Sequence, residues 1–233
     1  MHIQLNNLKK CFGEHVAVDI PHFTIDNGQV VGLVGNNGAG KTTLFRLMLD
    51  LAKATEGNVL IDGIDPATSE DWKLLTGAFI DNSFLIDFLT AEEYFEFVGK
   101  VSGMTKEQVE ERLKTFETFM GDEIIGKKKY IRDFSAGNKQ KIGIVAALLN
   151  SPQLVILDEP FNFLDPSSQN QLKRILTEFN RSTGATVMVS SHNLQHTVEI
   201  STRVALLENG KIIEDIDNSD GKAEEILDKY FNV

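Results

Sequence analysis

Cysteine is nearly absent from this chain, since Cys11 is the only one among 233 residues. This excludes a disulfide framework and suits a reducing compartment. Residues 1–8 do not have the pattern of a secretion signal, and no apolar run approaches the length of a membrane span. We therefore expect a cytosolic chain that does not itself cross a membrane.

Basic residues are also scarce, with 23 lysines and arginines against 34 aspartates and glutamates and a formal net charge of −11. A protein that binds the phosphate backbone of nucleic acid carries a basic face, so a nucleic-acid partner is disfavoured. Hydrophobic residues make up 42 % of the chain, which is too many for a disordered protein. The length fits one large domain or one domain with an inserted lobe.

The most informative segment is 35–43, which reads Gly-Asn-Asn-Gly-Ala-Gly-Lys-Thr-Thr. It matches G-x-x-x-x-G-K-[ST], the phosphate-binding loop of NTPases. The apolar run Val30–Val34 before it is typical of a buried parallel strand, and Thr43–Leu51 after it has helical spacing. A glycine-rich turn with a chance Lys-Thr is the alternative, but the strand and helix on either side argue against it.

The chemistry of this loop follows from its residue types. Its glycines let backbone N–H groups turn inward towards an anion, and the helix N-terminus adds the positive end of a dipole. Lys41 supplies a charge to the β- and γ-phosphates, and the Thr42 hydroxyl is a ligand for Mg²⁺. The residues expected to contact the nucleotide in this loop are Gly35, Asn36, Asn37, Gly38, Ala39, Gly40, Lys41, Thr42 and Thr43.

A second acidic element follows the apolar strand Leu154–Leu157, which ends in Asp158, Glu159 and Pro160. Ligands of α/β proteins bind at the carboxyl ends of parallel strands. We expect Asp158 to hold Mg²⁺, directly or through water, and Glu159 to accept a proton from a water that attacks the γ-phosphate. The alternative is a solvated strand end followed by a proline turn.

The rest of the chain predicts an α/β protein with a helical insertion. Strands are expected at Ile3–Leu8, Phe23–Ile25, Asn58–Asp62, Leu75–Ile80, Ala185–Val189, Val204–Leu207 and Lys211–Ile216. Helices are expected at Ala91–Val101, Lys106–Met120, Ser167–Asn180, Asn193–Glu199 and Asp220–Phe231. Thr90 and Glu93 form the pattern of a capping box. The segment from about 85 to 150 is therefore predicted to be an inserted α-helical lobe.

Residues 134–141, Phe-Ser-Ala-Gly-Asn-Lys-Gln-Lys, resemble the LSGGQ signature of ABC-transporter ATPases, which lies just upstream of the Asp-Glu strand in that family as it does here. Leu164 and Asp165 resemble the D-loop of the family, and His192 is similar to its switch histidine. Phe12 stands where the family has an aromatic residue that stacks on adenine. The resemblance runs from about residue 2 to 216 and is closest to the ATPase subunits of drug, peptide or lipid exporters.

The resemblance implies a single ABC ATPase domain over residues 1–233. Its phosphate-loop NTPase core, with a mostly parallel sheet and an N-terminal antiparallel β part, would span 1–84 and 151–233. The implied activity is ATP hydrolysis with Mg²⁺, which drives a separate membrane permease by nucleotide-dependent closure of a homodimer or heterodimer.

The resemblance also assigns residues outside the phosphate loop. Ser135 and Gly137 would bind the γ-phosphate held by a partner chain, with Ser135 as the cap of the apolar helix Ile142–Leu149. The remaining nucleotide contacts it implies are Phe12, Val18, Asp81 and Asp165, with His192 as the γ-phosphate sensor. Plain core packing is the alternative for Phe12, an ordinary helix cap for Ser135, and a structural role for His192.

The sequence departs from the family pattern at several positions. Ala136 and Asn138 replace a glycine and a glutamine of the signature, and Phe163 stands where a glycine is common. The position of the γ-phosphate-sensing glutamine falls at Asp81, with Asn82 beside it. An aspartate there brings another negative charge towards Asp158 and Glu159, so the role of this loop is open.

Two other functions compete with the transport ATPase. A soluble ABC protein that acts in translation or assembly is one, although such proteins resemble two cassettes in a single chain with a basic linker. A nucleotide-binding regulatory module without turnover is the other, and the Asp158-Glu159 pair argues against it. Phe84 and Phe88 are expected either to dock the permease or to pack inside the lobe.

Overall fold

The computed structural model describes residues 1–192, 194–221, 223 and 225–227. The strands in chain order are β1 (Ile3–Phe12), β2 (His15–Ile25), β3 (Val30–Val34), β4 (Glu56–Ile61), β5 (Thr76–Phe79), β6 (Leu154–Leu157), β7 (Thr186–Ser191), β8 (Arg203–Glu208) and β9 (Lys211–Asp217). The α-helices are α1 (Lys41–Met48), α2 (Ala91–Val101), α3 (Lys106–Lys114), α4 (Glu117–Met120), α5 (Ala136–Leu148), α6 (Pro166–Thr183) and α7 (Leu194–Ile200).

The larger sheet has six strands in the order β5-β6-β7-β3-β8-β9. All neighbours in it pair in parallel except β8 and β9, which form an antiparallel hairpin. Every residue of β3 and β6 is buried, as expected for parallel strands covered on both faces. Because β3, β6 and β7 run the same way, the segments that follow them meet at one edge of the sheet.

The smaller sheet is antiparallel, in the order β2-β1-β4. It confirms the predicted N-terminal β part, but β1 and β2 are longer than the strands predicted from the sequence. The alternation of buried and less buried residues in β1 breaks at Asn7, which has a φ of 47° and lies where the register with β4 shifts between Asn6 and Lys9. Gly13, with a φ of 59°, lies in the predicted turn between the two strands.

The predicted helical lobe is present and consists of α2 to α5. The Thr90 capping box is confirmed, since Thr90 Oγ1 accepts from Glu93 N at 3.2 Å and Glu93 Oε2 accepts from Thr90 N at 2.8 Å. The single helix predicted over 106–120 is wrong, because α3 ends at Lys114 and α4 begins at Glu117. The Thr115 hydroxyl donates to the Arg112 carbonyl at 2.7 Å and so takes up a helix-end acceptor.

The lobe shares a hydrophobic core with the large sheet. Phe95 and Ile142 of the lobe belong to the same buried cluster as Val155 and Val187 of the sheet. A second cluster lies between the two sheets and α1, and it includes Leu5 of the small sheet. The division of the chain near residues 84 and 150 stays a prediction.

The C-terminal hairpin is also as predicted. β8 and β9 are joined at Asn209 and Gly210, whose φ values of 48° and 78° are those of a tight type I′ turn. Half of the helix predicted over 220–231 lies outside the described residues, and so does the first residue of the helix predicted at 193–199. Among the described helices, none is long and apolar enough to pass through a bilayer.

Candidate functional site

The phosphate loop joins β3 to α1 at the carboxyl end of β3, which is an inner strand of the large sheet. Gly40, with a φ of 109°, immediately precedes the first helical residue, and a Cβ there would lie 2.4 Å from the carbonyl oxygen of Ala17. Only glycine fits such a position. The loop borders an open cleft of about 350 Å³ lined by Phe12, His15, Ala17, Asn37, Gly38, Ala39, Gly40, Lys41, Thr42, Thr43 and Glu159.

Lys41 is buried, with its ammonium group held inside the loop. Its Nζ donates to the carbonyl oxygen of Gly35 at 2.6 Å and to that of Asn36 at 3.3 Å. It also lies 3.3 Å from Oε1 of Glu159, so the two predicted functional charges form an ion pair. Gly35 and Asn36 thus position the lysine rather than line the cleft.

Asp158 follows β6 and reaches the first turn of α1. Thr42 Oγ1 donates to Oδ2 of Asp158 at 2.5 Å, and Ser190 Oγ of β7 donates to Oδ1. Burial raises the pKa of the Asp158 carboxyl, and repulsion by Glu159 adds to the rise, while the two hydrogen bonds and Lys41 oppose it. A cation beside this carboxylate would offset the burial of its charge.

Glu159 has an unusual backbone conformation, with a φ of 47°. Positive φ is uncommon for a residue with a side chain and is maintained only where the surroundings fix it. Its N–H donates to Ser190 Oγ at 2.8 Å, and its carbonyl accepts from Nε2 of Gln140 at 3.2 Å. The backbone of the predicted base is therefore held from β7 on one side and from α5 on the other.

His192 lies just after β7 and contacts the same carboxylate. Its Nδ1 is 2.8 Å from Oε2 of Glu159, and its backbone N–H donates to that oxygen at 3.3 Å. Glu159 therefore has Lys41 on one carboxylate oxygen and His192 on the other. The structure brings together these three residues, which are far apart in sequence.

Phe12 stands at the rim of the cleft with 57 % of its surface exposed. The ammonium group of Lys10 lies 4.9 Å from its ring centroid, a cation–π contact. Plain core packing of Phe12 is thus excluded. Val18, predicted beside it as a nucleotide contact, is fully buried, and its neighbour Ala17 lines the cleft instead.

Ser135 and Gly137 are not part of this cleft. Ser135 caps α5, accepting from Asn138 N at 3.2 Å, and is exposed to solvent. Asp165 caps α6 in the same manner, accepting from the N–H groups of Ser167 and Ser168 at 2.9 and 3.0 Å. The signature residues thus expose a helix N-terminus away from the phosphate loop of their own chain.

Asp81 follows β5 and turns towards α1. It accepts from Ser83 N at 2.7 Å and lies 3.4 Å from Nη2 of Arg46. Partial burial works to raise the pKa of its carboxyl, but the Ser83 bonds and the Arg46 guanidinium outweigh it and lower the pKa. Arg46 therefore compensates the negative charge that replaces the usual glutamine.

Two residues of the site were missed in the sequence. Ser190 is fully buried and bonds to both Asp158 and Glu159, and Gln140 is a buried amide that holds the Glu159 carbonyl. Ser190 could have been predicted as a site residue, because it is a polar residue at the end of an apolar strand. Gln140 lies within a polar stretch of α5, so the sequence did not show that it is buried.

The sequence and the fold of this chain resemble those of known proteins. The sequence pattern of the family described as "ABC transporter" matches residues 18–162, more than half of the chain. The chain is 36 % identical to the uncharacterized ABC transporter ATP-binding protein YhcH of Bacillus subtilis, covering 98 % of this chain and 74 % of the relative.

Two further relatives have names that refer to the transport of different substrates. The bacitracin transport ATP-binding protein BcrA of Enterococcus faecalis is 33 % identical, with 94 % of this chain and 70 % of the relative covered. The methionine import ATP-binding protein MetN of Carboxydothermus hydrogenoformans is 31 % identical, with 85 % and 60 % covered.

A solved structure agrees with the fold. An ATP-binding cassette in a dimeric, post-hydrolysis state bound to ADP and Pi superposes with a TM-score of 0.82 at 25 % identity, covering 92 % of this chain and 98 % of that one. From the family match, the relatives and the fold, we conclude that the chain belongs to the ABC transporter family, as one of its ATP-binding, ATP-hydrolysing subunits.

Proposed function

We propose that the protein hydrolyses Mg-ATP as the cytosolic motor of an exporter, bound at the inner face of the membrane through a separate permease. The observation that carries the proposal is the Glu159 carboxylate, held between Lys41 and His192 beside Asp158. This is an arrangement of a base, a phosphate-binding cation and a metal ligand around one cleft. This arrangement favours an enzyme that hydrolyses ATP over a regulatory module that only binds nucleotide.

The metal site consists of Thr42 and Asp158. Both offer oxygen atoms, the ligands that Mg²⁺ prefers, and the buried carboxylate has a pKa raised by burial that a cation would lower. Mg²⁺ usually takes one or two protein ligands and fills the rest of its sphere with water and phosphate. It would supply charge neutralisation between the β- and γ-phosphates, while Thr42 and Asp158 hold it in place.

The remaining groups divide the other tasks. Phe12 offers an exposed ring face for adenine, residues 37–43 line the phosphate cleft, and Lys41 binds the β- and γ-phosphates. Glu159 accepts the proton of the attacking water, and His192 orients the Glu159 carboxylate through the 2.8 Å contact of its Nδ1. Asp81 and its partner Arg46 sit where the family senses the γ-phosphate.

A second cassette completes the site. Helix N-termini are suited to anions, and the N-terminus of α5, with Ser135 and Gly137, does not line the cleft of its own chain. It would therefore bind the γ-phosphate held by a second chain in a head-to-tail dimer. The dimeric state of the matched cassette with ADP and Pi supports this step.

Contact with the permease is proposed at an apolar patch that joins the Asp81 loop to the lobe. Phe84 and Phe88 are 47 % and 63 % exposed, which favours docking over core packing. Export is proposed from the resemblance of the signature segment to exporter subunits, since relatives named for bacitracin transport and for methionine import do not fix the direction. If the protein were instead a soluble ABC protein that acts outside transport, no permease would cover the exposed rings of Phe84 and Phe88.

The Glu159→Gln substitution tests the proposal. The variant should bind Mg-ATP and form a stable dimer, while turnover falls by about 10²-fold or more, since general-base catalysis contributes that much. Phosphate release by the purified protein and its mass in solution are the measurements. The matched control is Glu214→Gln, an exposed carboxylate of β9 that does not line the cleft. Near-normal phosphate release from Glu159→Gln would remove Glu159 from the role of base.

A further inference from the structure

Phe163 combines two features that are unfavourable for the isolated chain. Its side chain is 67 % exposed, the largest fraction for a large hydrophobic residue in the part of the chain that the structure describes. Its backbone has a φ of 64°, in the left-handed region that favours glycine. Both features disfavour phenylalanine at a position that glycine would fill without strain.

The loop around Phe163 is fixed at both ends. Asn162 N donates to the carbonyl of Glu159 at 3.1 Å, which ties the start of the loop to the predicted base. Asp165 caps α6, which ties its end to a helix of 18 residues. The left-handed backbone at Phe163 is thus imposed by its surroundings, as strained residues at functional sites commonly are.

The exposed ring of Phe163 is not stacked on another ring of the described residues. Within residues 1–192 and the other described segments, none of the aromatic or cation–π contacts involves Phe163. The side chain therefore contributes little to the stability of the single chain. An exposed, rigidly held aromatic residue is the usual form of an interface anchor, because its ring buries a large area with few rotatable bonds.

The position of Phe163 identifies which surface this is. A Cβ on Gly137 would lie 2.6 Å from the carbonyl oxygen of Phe163, so the loop packs directly against the start of α5. Ser135 and Ala136 at that helix start, and Asp165 two residues beyond Phe163, are exposed as well. The ring therefore belongs to the same surface as the anion-binding helix end that the proposed function turns towards a second chain.

We propose that Phe163 is an apolar anchor for a second copy of this chain in the ATP-bound dimer. It gives the loop next to the signature a hydrophobic contact that a glycine cannot make, and that contact offsets its strained backbone. The proposal rests on the proposed function, since it needs nucleotide-dependent pairing of two cassettes. It goes further by naming a residue of this chain that sets how tightly the two copies close.

The test uses Phe163→Gly in the Glu159→Gln background, where turnover does not disassemble the dimer. We expect the dimer dissociation constant in Mg-ATP, measured by analytical ultracentrifugation, to rise at least 10-fold. Nucleotide affinity of the monomer should be unchanged, because Phe163 does not line the cleft. Phe163→Leu, which keeps an apolar side chain, should restore part of the dimer affinity.

Lys128→Gly is the matched control, because Lys128 is exposed and has a φ of 49°. Both glycine variants should leave the nucleotide-free melting temperature equal or higher, and only Phe163→Gly should weaken the dimer. A melting temperature that falls for Phe163→Gly and not for Lys128→Gly would show a structural role and overturn the inference.

Two further outcomes separate the inference from the proposed function. If Glu159→Gln dimerises in Mg-ATP and the added Phe163→Gly leaves the dissociation constant unchanged, Phe163 is not an anchor and the proposed function stands. If Glu159→Gln stays monomeric in Mg-ATP at concentrations that saturate it with nucleotide, two copies of this chain do not pair, and the inference fails while closure with a different cassette is untouched.

Discussion

Replacing Ser190 by alanine should destabilise the protein more than the loss of one small hydroxyl would suggest. Ser190 is fully buried at the end of β7. Its Oγ donates to Oδ1 of Asp158 and accepts from the N–H of Glu159 at 2.8 Å. Alanine removes both bonds at once and leaves a buried carboxylate and a partly buried N–H with one partner fewer.

The two bonds differ in strength. A hydrogen bond to a charged group contributes about 1.5–3 kcal/mol, and a neutral one about 0.5–1.5 kcal/mol. The expected loss in the free energy of unfolding is therefore about 2–4 kcal/mol. For a chain of this size each kcal/mol lowers the melting temperature by about 2–4 °C, so Ser190→Ala should melt roughly 5–15 °C lower.

Thermal unfolding of the nucleotide-free protein measures this loss. Ser201→Ala is the control, since the Ser201 hydroxyl is also buried but makes one neutral bond, to the carbonyl of Thr197 at 2.6 Å. It should lower the melting temperature by only about 1–6 °C. Ser190→Ala should also reduce turnover at saturating ATP, because the backbone of Glu159 loses one of the bonds that fix it.

A melting temperature for Ser190→Ala equal to that of Ser201→Ala would refute the reasoning. It would mean that the Asp158 carboxylate does not depend on Ser190 in the folded chain. A large loss of stability with turnover unchanged would refute only the second part, namely that Ser190 helps to position Glu159.

The remaining predictions concern the nucleotide and the permease. Lys41→Ala removes the buried cation of the loop, so nucleotide affinity or turnover should collapse. Calorimetric titration measures the affinity and phosphate release measures the turnover, and a variant in which both are unchanged would contradict the role of Lys41. Phe12→Ala should weaken ATP and GTP alike, each by about 10- to 100-fold as expected for the loss of a stacking partner, with little change in melting temperature because the ring is mostly exposed; strict selectivity for ATP would place base recognition elsewhere. Phe84→Ser and Phe88→Ser should leave the melting temperature and basal ATPase intact while permease-stimulated ATPase and membrane association fall, and equal loss of stability and basal activity would instead indicate core packing.

The parts of the site that local sequence specifies were predictable. The phosphate loop needs a strand, a glycine turn and a helix N-terminus in immediate succession, and the sequence of residues 30–48 predicts all three. The Thr90 capping box likewise depends on residues only three apart. A motif of this kind folds by local rules that tertiary structure does not override.

Long-range contacts were not predictable in the same way. Arg46 and Asp81 pair across 35 positions, Gln140 reaches the Glu159 carbonyl across 19, and nothing in the spacing of either pair indicates it. The lengths of β1 and β2 were underestimated because residues 9–12 and 15–22 do not show the regular alternation from which strands are predicted. These features depend on the topology of the sheets and not on the local pattern.

The ion pair between Lys41 and Glu159 has a consequence for the order of events in the site. The same ammonium group that would bind a phosphate is already occupied, at 3.3 Å, by a carboxylate of its own chain. Glu159 is thus an internal competitor of the nucleotide, and an arriving γ-phosphate exchanges one anion for another on Lys41. We expect this exchange to release the carboxylate at the moment the reacting group is in place.

The Glu159 carboxylate and a phosphate therefore compete for Lys41, and binding of a phosphate there would free the carboxylate to act as a base. Release of the products would let the carboxylate pair with Lys41 again. One lysine with two alternative anionic partners would in this way couple the position of the Glu159 carboxylate to the binding and release of nucleotide.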